Sequence, residues 1–303
     1  MRKVRGRSIR VRSTPEAPAL DLAATPVDPY RSELYTPAEL YDVTPYADSL
    51  DARAYAWSQE PATPRAALAQ SLHDHAIDQS LAAWIKGRHL VGVMGGHAVD
   101  RSSPQYADAA RLGWMLGQRY AVATGGGPGA MEATNLGGLL SGSTRDHLAA
   151  AVASLAGVPS YHPSIDQWAA KARTVTEGVE GRPTLGIPTW FYGHEPPNLF
   201  ATAIAKYFRN AIRESILVQI CDAGIVFLPG AGGTVQEVFQ DACENYYAAP
   251  ESIAPMVLVG TSYWTETLPA WPLLRALARD RPMADRIHLV DTVEQAAALM
   301  TGS

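Results

Sequence analysis

Val226 to Gln240 reads VFLPGAGGTVQEVFQ, and this stretch decides the fold. Ile225–Leu228 is a short apolar run suited to a buried strand, and Pro229 ends it. Gly230, Ala231, Gly232 and Gly233 then form a loop of small residues, and Thr234 opens an amphipathic pattern that runs to Tyr247. The first N–H groups of a helix have no partner inside the helix and carry the positive end of its dipole. A strand, a glycine loop and a helix start therefore make an anion seat, most often for phosphate. Glu237 falls about one turn into the helix, where its carboxylate can hang over whatever the loop holds.

The same grammar recurs upstream. His89–Met94 (HLVGVM) is a short apolar strand that ends in Gly95–Gly96. Pro104–Gln118 has helical spacing, and Tyr120–Thr124 (YAVAT) is the next strand. It runs into Gly125, Gly126, Gly127, Pro128 and Gly129, which open a helix through Met131 to about Leu140. Further strands are expected at Leu185–Ile187, Pro255–Gly260 and Ile287–Val290. Helices are expected at Pro64–Gly87, His147–Ala156, Ile165–Thr176, Leu199–Ile220, Trp264–Arg279 and Val293–Met300. Strands alternating with helices predict an α/β fold: a Rossmann-like, doubly wound parallel sheet with helices on both faces. Ligands in such sheets gather at the carboxyl ends of the strands.

Residues 1–63 are rich in Pro and Ala and weak in either period, so an extended, partly disordered N-terminal arm is expected. Its basic start (Arg2, Lys3, Arg5, Arg7, Arg10, Arg12) reads as a solvated tail. Tyr30, Tyr35, Tyr41 and Tyr46 would pin the arm to the main domain. Residues 64–303 are expected to form one Rossmann-like domain of the kind that binds nucleotides, with 141–182 as a helical insertion or cap over the sheet.

Composition narrows the function. The chain has 303 residues, 47% hydrophobic and 18% charged, in the ordinary range of a soluble globular protein. A net charge of −5 argues against nucleic acid as the main partner. No apolar run approaches the about 20 residues of a membrane span, and the basic N-terminal stretch lacks the apolar segment expected of a secretion signal. Two cysteines, Cys221 and Cys243, have no metal or CxxC spacing and suit a reducing, cytoplasmic setting as buried or inert thiols. No His/Cys/Asp cluster has the spacing of a metal site.

Gly125–Ala130 matches the G-x-G-x-x-A dinucleotide fingerprint. The acid that fingerprint wants about 20 residues on falls at Asp146, in a loop, so a nicotinamide dehydrogenase is disfavoured. No G-x-x-x-x-G-K-[ST] occurs. Two glycine loops, each after a strand and each opening a helix, instead suggest one crevice for a phosphorylated ligand. Gly95, Gly96, Gly125, Gly126, Gly127, Gly129, Met131, Gly230, Gly232, Gly233 and Thr234 are the candidate phosphate and substrate contacts. Arg213 and Glu237 are the candidate catalytic pair. A carboxylate beside a sugar C1′ suits the cation-like transition state of glycosidic cleavage, and an arginine can hold a phosphate or a carboxylate by two points. In TWFYGHEPPN (Thr189–Asn198), His194, Glu195 and Asn198 are candidate walls for a base.

PGAGGTVQE (229–237) resembles the P-G-G-x-G-T-x-x-E signature of the LOG-like phosphoribohydrolase family, formerly called lysine decarboxylase-like. ATGGGPGAME (123–132) resembles that family's first glycine motif, in the manner of the larger bacterial nucleotide 5′-monophosphate nucleosidases. Arg213, in AIRESIL, stands where the family's M-x-x-R-K arginine falls. The resemblance spans about residues 88–247. It implies a Rossmann-like fold and hydrolysis of a nucleoside monophosphate to free base and ribose 5-phosphate. It also implies Arg213 and Glu237 as the working pair, no cofactor, and a homodimer with sites near the subunit interface. Two positions depart from the pattern: Ala231 replaces a Gly, and Glu214 replaces the Lys after the arginine. A decarboxylase would need a pyridoxal phosphate lysine, and none of Lys3, Lys86, Lys171 and Lys206 lies in a glycine loop. The alternative is a non-catalytic nucleotide or molybdenum-cofactor carrier or sensor on the same fold.

Overall fold

The computed structural model describes residues 25–191 and 195–302. The basic N-terminal tail and His194 lie outside the described residues. Seven strands form one sheet: β1 (Leu90–Met94), β2 (Ala121–Thr124), β3 (Thr184–Gly186), β4 (Ala203–Ile204), β5 (Ile225–Phe227), β6 (Met256–Val259) and β7 (Ile287–Val290). Every ladder is parallel, in the order β4-β3-β2-β1-β5-β6-β7. The chain winds outward from β1 to β4, then returns to the other side of β1 with β5. The strand order therefore reverses between β1 and β5, and that is where an open α/β sheet leaves a crevice. All residues of β1, β3, β5 and β6 are buried, as expected of parallel strands covered on both faces.

The helices are α1 (Pro37–Leu40), α2 (Leu50–Ser58), α3 (Pro64–Ile85), α4 (Pro104–Leu116), α5 (Ala130–Leu139), α6 (Arg145–Leu155), α7 (Ile165–Thr176), α8 (Asn210–Gln219), α9 (Gly232–Tyr247), α10 (Ala270–Ala278) and α11 (Val293–Thr301). In one layer α4 packs on α5, α6 and α11; in the other α9 packs on α8 and α10. The α4–α5 contact is backbone on backbone. A Cβ added to Gly137 would stand 1.9 Å from the Ala110 carbonyl oxygen, and one on Gly113 would stand 2.1 Å from that of Thr134.

The expected helix Leu199–Ile220 is not one helix. Its first part is β4, and α8 begins only at Asn210. The run FATAIAKYF is apolar at nearly every position, so its period cannot separate a buried strand from a buried helix. Long-range partners decide it. Ala203 and Ile204 pair with Leu185 and Gly186 of β3, and Ile204 also exchanges both backbone hydrogen bonds with Tyr35. The Asp74 carboxylate of α3 then accepts the Phe208 and Arg209 N–H groups at 3.0 and 3.1 Å, just ahead of α8. The expected helix Trp264–Arg279 is also divided. A π-helical turn at Tyr263–Thr267 precedes α10, and Leu268–Pro269 separates them, because proline restricts the residue before it.

Residues 25–63, read as extended from sequence, contain α1 and α2. Tyr35, Tyr41 and Tyr46 are buried, while Tyr30 is exposed. Buried Asp51 of α2 accepts from Lys206 Nζ at 2.6 Å, Trp190 Nε1 at 2.8 Å and the Tyr46 hydroxyl at 2.5 Å. This segment is thereby joined to the β3–α8 connection by a paired charge and a satisfied carboxylate. Cys221 is buried and Cys243 is exposed. Among the described residues, no helix is long and apolar enough to cross a membrane.

The backbone contact at Gly137 makes a specific demand. Gly137→Ala is expected to cost about 1–3 kcal/mol or more, since the new methyl meets a carbonyl that cannot move alone. Thermal melting of the two proteins checks it.

Candidate functional site

Arg213 and Glu237, 24 residues apart in sequence, meet across α8 and α9. Arg213 Nη1 donates to Glu237 Oε1 at 3.0 Å, and Arg213 Nε donates to the Ile187 carbonyl at 2.9 Å. The carbonyl just beyond β3 thus sets the plane of the guanidinium. Its Nη2 lies over Gly125, where an added Cβ would come within 2.7 Å. Both side chains are largely buried, at 13% and 8% exposure. Burial raises the Glu237 carboxyl above the usual carboxylate range; Arg213 opposes the rise, and the neighbouring Glu214 carboxylate adds to it. Glu214 occupies the position after the arginine. It is buried, accepts from Asn210 Nδ2 at 2.7 Å, and accepts from Gln236 Nε2.

The three turns at the carboxyl ends of β1, β2 and β5 converge beside this pair. The Gly96 N–H donates to the Pro229 carbonyl at 3.1 Å, and the Ala130 N–H donates to the Gly96 carbonyl at 3.0 Å. Gly129 has φ +73°, and a Cβ there would stand 2.6 Å from the carbonyl oxygens of Gly96 and His97. Only glycine meets both the backbone angle and the space at that position.

The two glycine loops differ in character. Gly125 to Ala130 is buried throughout, and Ala130 has already spent its N–H on Gly96. Ala231, Gly232 and Gly233 are exposed, and the N-cap of α9 has no side-chain hydrogen bond. No acidic residue occupies the first turn of α9. The start of α9 is therefore the open one of the two helix starts, and the Gly125–Gly129 loop is a buried wall beside it. Thr234 is buried with its hydroxyl turned to Gly230, while Met131 packs its sulfur and methyl against Gly125 and Gly127.

Asn198 is a fastener of the wall rather than a face for a base. Its amide donates to the Gly127 carbonyl at 3.2 Å and to Asn135 Oδ1 at 3.0 Å. Its oxygen accepts the N–H groups of Phe200 and Ala201, and its own N–H bonds to the Gly126 carbonyl. Thr124 completes the bracing with bonds to Asn135 and Gly126. Glu195 stands beside the glycine loop and the turn after β1. Its carboxylate lies 3.7 Å from His97 Nδ1, and an added Cβ on Gly127 would stand 3.6 Å from it.

Sequence reasoning missed His97, Asn135 and the Ile187 carbonyl. His97 directly follows Gly95–Gly96, so its position at a strand end was the available signal. Asn135 acts through side-chain hydrogen bonds to distant residues and Ile187 through its backbone carbonyl, which no pattern marks. Among the described residues, no group of three or more His, Cys, Asp or Glu is placed to hold a metal ion.

No protein-family model matches the sequence, and no curated protein matches it either. Solved structures do. The molybdenum cofactor binding protein of Rippkaea orientalis is 18% identical, with a TM-score of 0.43 over 71% of this chain and 96% of that one. The molybdenum cofactor carrier protein of Chlamydomonas reinhardtii is 19% identical, with a TM-score of 0.43 over 71% of this chain and 97% of that one. At that distance neither says what this chain binds or does.

The bonds of Asn198 define its role. Asn198→Ala strips partners from several buried backbone and amide groups and is expected to lower stability by at least about 1–3 kcal/mol in a denaturant titration. A residue that served only to face a ligand would leave stability unchanged.

Proposed function

We propose that the protein hydrolyses the N-glycosidic bond of nucleoside 5′-monophosphates, releasing free base and ribose 5-phosphate. The observation that carries this reading is the buried Arg213–Glu237 pair beside the open start of α9. A phosphate on the Gly232–Thr234 turn would set the sugar against Glu237, one to two turns along the same helix. As the C1′–N bond breaks, its electron pair leaves with the base and positive charge grows on the sugar. The Glu237 carboxylate stabilises that charge and takes a proton from the incoming water, whose oxygen bonds to C1′; solvent protonates the departing base nitrogen, and Glu237 then returns its proton to solvent. Arg213 aims the carboxylate and opposes the rise that burial imposes on it. The Ile187 carbonyl keeps Arg213 from swinging away.

Incubation with a panel of nucleoside 5′-monophosphates is expected to release free base, measured by chromatography. Glu237→Ala is expected to lower the rate by about 10²-fold or more. Tight nucleotide binding with no release, in wild type and variant alike, would favour a carrier or sensor and end the hydrolase reading.

The electrostatics predict a pH signature. The active form carries an ionised Glu237, so the rate falls as pH drops, with an acid limb above the ordinary glutamate range. Glu214→Gln removes the like charge that helps raise Glu237 and is expected to move that limb to lower pH. A pH–rate profile of both proteins checks the direction.

A further inference from the structure

A cavity of about 240 Å³ opens at the other end of the Gly125–Gly129 loop from Arg213. Pro128 and Gly129 form one side; His97, Tyr161 and His162 form another. It is smaller than the space a whole drug-sized ligand takes, and suits a single ring system. Three observations tie it to the site. Glu195 bridges the two, reaching Gly127 on one side and His97 on the other. Tyr161 is close enough to Glu195 for that carboxylate to join burial in raising its phenol. The loop itself runs from one to the other, with Gly125 under Arg213, Gly127 beside Glu195 and Gly129 in the cavity wall.

The aromatic wall is held in place from behind. Tyr161 and His162 lie with ring centroids 4.2 Å apart, and Tyr161 meets the edge of buried Trp168 at 6.3 Å. Arg101 sits over the Trp168 ring at 4.6 Å, donates to the Trp168 carbonyl at 3.2 Å, and donates to Glu132 Oε1 at 3.0 Å from Nε. Glu132 belongs to α5, directly behind the glycine loop. A fully buried ion pair therefore locks the α6–α7 connection to that loop, and Tyr161 needs little ordering on binding.

Resting on the nucleotide reading above, we infer that this cavity receives the nucleobase. Tyr161 and His162 supply the stacking surface, the Glu195 carboxylate accepts from N–H groups on the base edge, and the sugar lies between the cavity and Glu237. A phosphate fits the cavity poorly. None of its lining residues is a lysine or an arginine, Asp100 and Glu132 line it, and the Ala130 N–H at the start of α5 is already spent. A base is neutral, and every base offers a ring face to an aromatic side chain. The 141–182 segment would then supply part of the specificity of the site.

The test uses the full chain and two probes: ribose 5-phosphate, and the carbon-linked analogue of AMP, whose base–ribose bond cannot be hydrolysed. Equilibrium binding of both is measured by calorimetry on wild type and on Tyr161→Ser. Stacking of one base predicts that the variant binds the analogue about tenfold or more weakly and binds ribose 5-phosphate as wild type does. His162 is exposed, so His162→Ala leaves folding intact; it is expected to weaken analogue binding alone, to a smaller extent. Equal weakening of both probes, or no change in either, would overturn the base assignment while the nucleotide reading stands. A wild-type chain that binds neither probe would overturn the nucleotide reading, and this inference with it.

Discussion

The hydrogen bond from the Gly96 N–H to the Pro229 carbonyl joins the turn after β1 to the turn after β5. It lies at the one place where the sheet reverses its winding. Neighbouring parallel strands leave their carboxyl ends side by side, but the turns that follow normally diverge toward opposite helical layers. Here the small residues on both turns let the two backbones meet. The Gly96 carbonyl then takes the Ala130 N–H, so the turn after β2 joins as well. Three strand ends become one rigid rim, and the open start of α9 and the buried start of α5 acquire their separate characters from it.

The catalytic candidates depend on that rim from the other side. Arg213 is held by the Ile187 carbonyl, at the end of β3, and by Glu237, on the helix that leaves β5. Its guanidinium spans the winding reversal. The start of its own helix is fixed from outside the sheet, where Asp74 accepts the N–H groups of Phe208 and Arg209. The N-terminal segment, through Asp51 and Lys206, braces the same connection. Burial works against the ionised form of Glu237 while Arg213 supports it, and Glu214 tilts the balance toward the proton.

Much of this was legible in the chain itself. The strand–glycine–helix units at 89–140 and 225–247 are visible because glycine and proline punctuate apolar runs of characteristic length, and they imply a parallel sheet. Arg213 and Glu237 were legible as a pair through the motif around each. Less visible was the region 199–209, where a nearly unbroken apolar run has no period to read. There the β3 edge, Tyr35 and Asp74 decide the conformation. Helices α1 and α2 were hidden for a related reason. Their stability rests on buried tyrosines and on Asp51 meeting Lys206, which is 155 residues away.

Local chemistry is what the sequence by itself determined: which apolar runs bounded by glycine become strands, where the chain must turn tightly, and which helix starts are free of side-chain caps. Those follow from steric limits and hydrogen-bond needs within a few residues. Tertiary structure alone decided that one glycine loop is open and the other is a wall. It also decided that Asn198 fastens backbone and that Tyr161 and His97 come to line one cavity. Each of these depends on which donors and acceptors are used up by distant partners, and only the folded chain brings those partners into contact.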